Sequence, residues 1–274
     1  MALKPTTSRQ QKHLAVLIDA DNASAAIVEG LFEEIAKFGI ASVKRIYGDW
    51  TGPQLGGWKK VLLEYSIQPM QQFAYTTGKN ATDSTLIIDA MDLLYTRRFD
   101  GFCLVSSDSD FTRLAARLRE EGLEVIGFGE QKTPKPFVSA CDKFIYTELL
   151  RDDAEPAEVE APTSAPAAPQ APATSAGSKA AATPASAKVK AQKVPVEFIA
   201  KVIDDNSDED GWCALGILGT NISKLRSDFD SRLYGHRKLS DLIKANNARF
   251  ELQERGATAT GGKSLYARNR KPGK

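Results

Sequence analysis

At three separate places in the first half of the sequence, acidic side chains stand just after an apolar run or at the start of a helical pattern. Asp19 and Asp108 each follow an apolar run, Asp110 comes two residues after Asp108, and Asp83 lies between these places. Carboxylates brought close together repel one another, and such an arrangement persists mainly where a cation neutralises it. Oxygen ligands without Cys or His favour Mg²⁺ or Mn²⁺ over zinc. Because such an ion polarises a phosphoryl oxygen and activates water, these residues indicate phosphodiester hydrolysis.

The same acidic residues could instead have purely structural roles. Asp19 and Asp108 each stand where they could cap a following helix, and Thr82 or Asp83 could cap the third long helix. Asp89 and Asp92 fit a solvent-facing surface of the helix that follows Asp83. If the three groups of acidic residues lie around one β-sheet, as predicted below, a shared metal site is favoured over three independent helix caps.

Two other polar residues accompany the acids. Asn22 suits either an Asx turn or a hydrogen bond to an attacking water. Lys79 stands four residues before Asp83, where it could neutralise a substrate phosphate or lie on an ordinary surface. The sequence contains neither GxxxxGK[ST] nor GxGxxG, so enzymes that depend on a nucleotide cofactor lose support.

Apolar runs alternate with helical patterns up to residue 146. The strand-like runs are 14–18, 42–47, 67–73, 101–105, 124–128 and 143–146, and the helical patterns are 24–38, 55–65, 82–96 and 109–121. This alternation predicts an α/β fold, a Rossmann-like and mostly parallel sheet with helices on both faces. Ligands of such sheets bind beyond the carboxyl ends of the strands, where the strand order reverses. Asp19 and Asp108 are expected there.

The sequence divides into three parts, 12–151, 152–193 and 194–270. Residues 152–187 contain fourteen Ala and six Pro but no Leu, Ile or aromatic residue, so this part cannot bury enough apolar surface to fold. We expect 152–193 to be a disordered linker, of which the roughly 36 residues 152–187 alone have a root-mean-square reach of about 30 to 36 Å. The domains on either side are then expected to tumble nearly independently.

The part after the linker has a different pattern. Helices are predicted at 195–205, after Trp212 and at 238–245, followed by alternating residues, a Gly-rich turn at 256–262 and a strand. Three helices and a hairpin predict a small α+β domain of the winged helix-turn-helix type. Residues 188–274 carry 17 basic and 11 acidic side chains, although the whole chain carries only +1.

Three motifs in the first part carry a family resemblance: Ile-Asp-Ala-Asp-Asn at 18–22, Lys79 followed by Asp83, and Ser-Ser-Asp-Ser-Asp-Phe at 106–111. Together they resemble the NYN domain, of the LabA-like branch within the PIN-like nucleases, over about residues 14–150. The resemblance implies a ribonuclease that depends on Mg²⁺ or Mn²⁺. The implied catalytic residues are Asp19, Asn22, Asp83, Asp108 and Asp110, of which the four acids surround the metal.

One residue of these motifs departs from the family pattern. Ser107 stands where the family usually has Gly. A side chain at this position is expected to crowd the backbone at the site.

The third part has a resemblance of its own. Its motifs at 210–212, 228–230 and 234–242 resemble the OST-HTH (LOTUS) domain over about 194–270, a winged helix associated with RNA binding and protein contacts. Its excess of basic side chains is consistent with contacts to RNA phosphates, because the neutralisation of phosphates by Lys and Arg dominates the affinity of proteins for nucleic acids. The candidate RNA-binding residues are Lys238, Arg249, Arg255, Lys263, Arg268 and Arg270. Trp212 is interpreted as a core residue and not as a stacking platform.

Two other functions compete with a ribonuclease acting on RNA, expected to be single-stranded. One is a noncatalytic RNA-binding adaptor, which the acids alone do not exclude. The other is a haloacid dehalogenase-like phosphatase, with Asp19 as nucleophile and Asp21 as general acid. Ala23 stands where that family's motif has Thr or Val, which argues against the phosphatase.

The remaining composition concerns location and redox state. No apolar run approaches the about 18 residues that a membrane span needs. The first twelve residues lack the apolar core of a signal peptide, so we expect a cytoplasmic protein. The three cysteines form no CxxC pair and are expected to be reduced, buried thiols.

Overall fold

The computed structural model of the protein describes residues 11–72, 81–151, 192–257 and 263–270. Lys79 and residues 152–191 of the expected linker lie outside these ranges. In the N-terminal unit the strands are β1 (His13–Asp19), β2 (Ile40–Gly48), β3 (Gln68–Gln71), β4 (Gly101–Val105), β5 (Glu124–Gly129) and β6 (Lys143–Tyr146). The helices are α1 (Val28–Ala36), α2 (Gly56–Val61), α3 (Ala81–Tyr95), α4 (Thr112–Glu120) and α5 (Lys135–Ala140).

The six strands form one parallel sheet in the order β3-β2-β1-β4-β5-β6. β1 lies between β2 and β4, so the strand order reverses at β1. Ile18 of β1 pairs with Val105 of β4, which brings the residues after both strands to one edge of the sheet. The predicted α/β sheet with its reversal of strand order is therefore confirmed.

Helices cover both faces of this sheet. Leu14, Val16 and Ile18 pack in the layer that contains α1 and α2, whereas Ala15 and Leu17 pack in the layer that contains α3 and α4. All five side chains are completely buried. Burying one large apolar side chain contributes about 1.5 to 3 kcal/mol to the stability of the fold. The position of β1, and of the residues at its end, is therefore strongly fixed by packing.

Three predicted helices are shorter in the structure. The pattern at 24–38 begins with a 3-10 turn, Ala25–Ile27, where the Ser24 hydroxyl accepts a hydrogen bond from the backbone N–H of Ala26. The pattern at 109–121 likewise begins with a 3-10 turn, Ser109–Phe111, before α4. The pattern at 55–65 ends at Val61 as α2, and Ser66 beyond it has a φ of +52°. These differences lie in local turns, which the apolar spacing does not encode.

Asp89 is not a solvent-facing residue, contrary to its interpretation from the sequence. On α3, it accepts hydrogen bonds from the guanidinium of Arg45 and the hydroxyl of Tyr47, both on β2. Tyr47 is completely buried, and this burial, followed by the bond to Asp89, raises the pKa of its hydroxyl far above the usual range. The cluster ties α3, which carries Asp83, to the sheet.

The C-terminal unit has three helices and a small antiparallel sheet. The helices are α6 (Val196–Asp205), α7 (Leu215–Leu225) and α8 (Leu239–Ala245), and the strands are β7 (Trp212–Ala214), β8 (Phe250–Ala257) and β9 (Lys263–Asn269) in the order β7-β9-β8. A separate core joins the helices to the sheet through residues such as Ile199, Leu218 and Phe250. The predicted small α+β domain is confirmed, and β7 is an addition that the sequence pattern did not reveal.

The two units are in contact in the structure. Residues 227–232, which connect α7 to α8, lie against β6 and α1 of the N-terminal unit. The expectation that the two units tumble nearly independently concerns their motion in solution and stays a prediction.

The partly buried cluster of Arg45, Tyr47 and Asp89 gives a stability prediction. Asp89→Ala should lower the free energy of unfolding by about 2 to 3 kcal/mol, because Arg45 and Tyr47 are left without their acceptor. Urea denaturation followed by circular dichroism measures this. Asp92→Ala, an exposed residue on the same helix, should change stability by less than about 0.5 kcal/mol. Equal effects of the two substitutions would contradict the structural role of Asp89.

Candidate active site

Asp19 is the last residue of β1 and is completely buried. Asn22 Nδ2 donates a hydrogen bond to Asp19 Oδ2 at 2.7 Å, and Ser106 Oγ donates to the same oxygen at 2.8 Å. The backbone N–H of Asp21 donates to Asp19 Oδ1 at 3.1 Å. Burial raises the pKa of the Asp19 carboxyl, and the hydrogen bonds from Asn22 and Ser106 offset this only in part. Asp19 is thus fixed in place by its neighbours.

Asn22 makes a contact that neither sequence interpretation included. Its amide nitrogen donates to the Asp19 side chain three residues earlier, and a hydrogen bond from Asn22 to an attacking water stays a prediction. The contact holds Asn22 beside the acids, where the family resemblance expected it.

Asp108 follows β4 and caps the 3-10 turn Ser109–Phe111, since its Oδ1 accepts a hydrogen bond from the backbone N–H of Asp110 at 2.9 Å. The backbone N–H of Asp108 donates to Ser106 Oγ at 3.0 Å. Because the Ser106 hydroxyl also donates to Asp19, one serine joins the ends of β1 and β4. The capping role weighed for Asp108 therefore exists together with its place in the acidic cluster.

Asp83 lies in the first turn of α3 and is partly buried. Among the described residues, Asp83, Asp108 and Asp110 form one group in which each offers a carboxylate oxygen, all within 4.8 Å of one another. Burial and then the negative charges of Asp19, Asp108, Asp110 and Asp21 raise the pKa of Asp83 to about 6. The effect of Asp19 on this pKa means that its charge also acts on the cluster.

The arrangement has the chemistry of a site for a hard divalent cation. The ligand atoms are carboxylate oxygens, as Mg²⁺ and Mn²⁺ prefer. The mutual repulsion that raises the pKa of Asp83 is relieved when a cation binds between the carboxylates. The residues present therefore fit a metal ion.

Ser106 is the residue of this site that the sequence interpretation missed. Its only signal in the sequence is its place directly after the apolar run 101–105, as Asp19 directly follows the run 14–18. In the structure Ile18 and Val105 are register partners, so Asp19 and Ser106 emerge side by side. A hydroxyl directly opposite a buried carboxylate is the expected way to satisfy it.

The expected crowding of the backbone at Ser107 stays a prediction, and the side chain makes a contact that a Gly could not make. Its side chain is buried, and its hydroxyl accepts a hydrogen bond from the backbone N–H of Glu130 at 2.9 Å. The serine therefore links the end of β4 to the end of β5.

Some of the basic residues expected to bind RNA make contacts within the OST-HTH domain, and others are exposed. The three arginines described first make such contacts. Arg249 lies 3.5 Å from Glu197, and Arg268 pairs with Glu251 at 2.7 Å. Arg255 and Arg268 both lie over the indole of Trp212, each with its guanidinium carbon 4.5 Å from the ring centre.

Trp212 is buried beneath these two arginines, in agreement with its interpretation as a core residue. Lys238, at the start of α8, and Arg270, after β9, are exposed. The side chain of Lys263 lies outside the described part of the chain, as does Lys79. Lys238 and Arg270 are therefore the clearest candidates for phosphate contacts.

Two other expectations concern the cysteines and membranes. Cys103, Cys141 and Cys213 are buried and form no disulfide. Burial raises the pKa of the Cys141 thiol to about 12, which makes it unreactive. None of the described helices combines the length and apolar character required for crossing a bilayer.

Family models match both folded parts of the chain. The NYN domain model matches residues 13–150, and the OST-HTH/LOTUS domain model matches residues 190–260. No curated protein matches the chain significantly. A crystal structure of a protein of unknown function from Vibrio parahaemolyticus is 19% identical, covers 52% of this chain and 96% of that chain, and has a TM-score of 0.43.

A solution NMR structure of an uncharacterised protein from Nitrosomonas europaea is 38% identical, covers 35% of this chain and 92% of that chain, and has a TM-score of 0.29. The NYN model alone spans half of the sequence, and the six-stranded parallel sheet is the PIN-like fold expected of it. The chain therefore belongs to the NYN domain family and carries a C-terminal OST-HTH/LOTUS domain, which is an RNA-binding domain.

Proposed function

We propose that this protein is a metal-dependent ribonuclease that hydrolyses RNA phosphodiester bonds. The observation that carries the proposal is the group of carboxylates of Asp83, Asp108 and Asp110, within 4.8 Å of one another at the sheet edge where the strand order reverses. Membership in the NYN family, within the PIN-like nucleases, supports the same chemistry. Asp19 and Asn22 complete the proposed catalytic group.

The proposed metal ligands are Asp19, Asp83, Asp108 and Asp110, and the proposed ion is Mg²⁺ or Mn²⁺. Such an ion, when bound, polarises a phosphoryl oxygen and lowers the pKa of a water molecule. The chain's own contribution is positioning. Asn22 and Ser106 hold Asp19 through hydrogen bonds of 2.7 and 2.8 Å.

The remaining carboxylates are held by local backbone structure. The 3-10 turn Ser109–Phe111 sets the separation of Asp108 and Asp110. α3 presents Asp83 from its first turn.

The proposed substrate is RNA, with single strands preferred. The basic OST-HTH domain supplies the candidate contacts Lys238, Arg249, Arg255, Lys263, Arg268 and Arg270. Lys79 is proposed to contact a substrate phosphate near Asp83. Protein partners of the OST-HTH domain and a cytoplasmic location are consistent with this proposal.

The phosphatase alternative is disfavoured by the residue that follows Asn22. Ala23 stands where the motif of that family has Thr or Val. The hydrogen bonds from Asp21, Asn22 and Ser106 fix the orientation of the Asp19 carboxylate at the end of β1. The adaptor alternative differs from the ribonuclease in turnover alone, so a cleavage assay separates them.

Removal of a proposed ligand should abolish metal-dependent cleavage. Asp108→Asn and Asp83→Asn should each reduce cleavage of labelled single-stranded RNA in Mn²⁺ by at least about 100-fold, the scale of losing one electrostatic contribution to the transition state. Asn at position 108 still accepts the capping hydrogen bond, so the fold should persist. Asp92→Asn is the control and should cleave like the unmodified protein.

Three outcomes of this assay are informative. Undiminished cleavage by both variants would refute the metal site. Tight RNA binding with no cleavage at any metal concentration would favour the adaptor. Release of inorganic phosphate without strand scission would favour the phosphatase.

The raised pKa of Asp83 predicts the pH dependence of stability in the metal-free protein. With a pKa of about 6 in the folded state against 3.8 in the unfolded state, the folded protein binds the proton more tightly. Its stability therefore contains a penalty that is fully present above pH 6 and disappears as the pH falls towards 3.8.

In EDTA, Asp83→Asn should thus be more stable than the unmodified protein at pH 7.5, and this advantage should shrink at pH 5. Thermal unfolding at several pH values measures the difference. Asp92→Asn serves again as the control. A difference between Asp83→Asn and the unmodified protein that does not change with pH would contradict the electrostatic account.

The OST-HTH domain should contribute to RNA affinity and its salt dependence. Lys238→Gln combined with Arg270→Gln should weaken RNA binding at low salt and reduce the slope of log affinity against log salt by about 1 to 2, since each phosphate contact releases counterions. Fluorescence anisotropy with a labelled oligonucleotide at several salt concentrations measures both quantities. Lys201→Gln, an exposed position on α6 of the same domain, is the charge-matched control. An unchanged slope would place the RNA contacts elsewhere.

A further inference from the structure

Two parts of the chain that are far apart in sequence meet at β6, the last strand of the sheet. The backbone N–H of Phe144 donates to the carbonyl of Ser227 at 2.9 Å, and the Ser227 hydroxyl donates to the carbonyl of Val138 at 2.7 Å. An edge strand has unpaired backbone groups that can bind another segment. Ser227 of the OST-HTH domain occupies such a group here.

Charged residues surround these hydrogen bonds. Arg232 Nη1 lies 2.9 Å from Glu34 Oε2 on α1, and Arg232 Nη2 lies 2.7 Å from Asp230 Oδ2. Lys143 Nζ donates to the carbonyl of Phe229 at 2.7 Å. Each domain thus contributes one acidic and one basic side chain to this group. They are Asp230 and Arg232 of the OST-HTH segment, and Glu34 and Lys143 of the NYN domain.

A neutral contact extends the same group. The hydroxyl of Tyr146 donates to Asp228 Oδ2 at 3.1 Å. Tyr146 is the last residue of β6, so the contact continues along the edge strand.

The charges at this contact are largely removed from water. The Glu34 residue is only 7% exposed. Burial lowers the pKa of Lys143. For Asp230, burial acts to raise the pKa, but the hydrogen bond and charge of Arg232 outweigh it, and the pKa is lowered.

Buried charges of this kind are tolerated when they are paired, and losing one partner is costly. Glu34 Oε2 pairs with Lys37 of its own helix at 2.7 Å and with Arg232 at 2.9 Å, and only the pair with Arg232 depends on the two domains being together. The charges therefore favour one particular arrangement of the domains over nonspecific contact.

The contact lies apart from the acidic cluster. β6 is separated from β4, which leads to Asp108 and Asp110, by β5. The OST-HTH residues involved, 227–232, precede α8 with its exposed Lys238 and the hairpin of β8 and β9. The proposed catalytic residues and the proposed RNA-binding residues are thus separate from the residues of the contact.

We propose that the OST-HTH domain docks on the NYN domain of its own chain through this contact, here called the docking surface and formed by Glu34, Val138, Lys143, Phe144 and Tyr146 on one side and residues 227–232 on the other. The linker makes the encounter intramolecular at millimolar-scale effective concentration, so a small surface is sufficient. The domain that binds RNA is then held at a fixed position relative to the acidic site. The docking is independent of whether the acidic site cleaves RNA.

The test measures the distance between the domains in the full-length chain. Spin labels are attached at Lys60→Cys and Lys244→Cys, two exposed positions remote from the docking surface, while the three native cysteines are buried. Double electron–electron resonance should give one narrow distance distribution for the docked protein. A free tether with a reach of about 30 to 36 Å would give a broad distribution, which would overturn the proposal.

Charge reversal at the docking surface should release the domain. Glu34→Lys places a like charge beside Arg232 and Lys143 and should broaden the distance distribution. Glu33→Lys, the exposed neighbour on the same helix with the same change in charge, should leave it narrow. Equal distributions for these two variants would overturn the proposal.

Two further measurements cover other outcomes. If Glu34→Lys does not fold, Tyr146→Phe combined with Ser227→Ala removes two hydrogen bonds without adding charge and should lower the docking equilibrium constant about tenfold. The docked fraction is followed as urea is added, and equal urea dependence for this pair and the unmodified protein would also overturn the proposal. Adding an excess of unlabelled protein should leave the distance distribution of the labelled protein narrow. If the narrow distribution disappears, docking joins domains of separate chains, which would overturn the proposal.

Discussion

Electrostatic repulsion among clustered carboxylates is the main constraint on the structure of the N-terminal domain. Asp83, Asp108 and Asp110 meet within 4.8 Å, and their charges, with that of Asp19, oppose one another. Separating them would lower the energy, so the surrounding structure has to prevent it. Completely buried apolar residues anchor β1, and the Ser106 hydroxyl joins the ends of β1 and β4. The Arg45, Tyr47 and Asp89 cluster ties α3 to β2.

The sequence was sufficient to predict the parts of this arrangement that depend on repeated patterns. β1 and β4 are apolar along their whole length because both faces of a parallel sheet are covered, and such runs are easily recognised. Polar residues that end two neighbouring parallel strands must then share one edge of the sheet. That reasoning, together with the family motifs, was enough to choose the three clustered acids and to expect Asp19 near them.

Pairings between distant residues were not predictable in the same way. Asp89 has the spacing of a solvent-facing helix residue, and its partners, Arg45 and Tyr47, belong to a strand more than 40 positions away. The contact of Ser227 with β6 joins residues 83 positions apart across the linker. Neither pairing leaves a periodic signal, since each depends on two single side chains or backbone groups that the fold brings together.

Docking changes what the long linker contributes to the proposed activity. A free tether raises the local concentration of substrate but leaves its orientation undefined. A docked OST-HTH domain also fixes the path between bound RNA and the acidic cluster, because both sites belong to one body. The ion pair of Arg232 with Glu34 is 2.9 Å long and partly screened from salt by burial. The proposed contacts to RNA phosphates involve the exposed side chains of Lys238 and Arg270. Such contacts weaken as salt rises, so the arrangement of the domains should be less sensitive to salt than RNA binding.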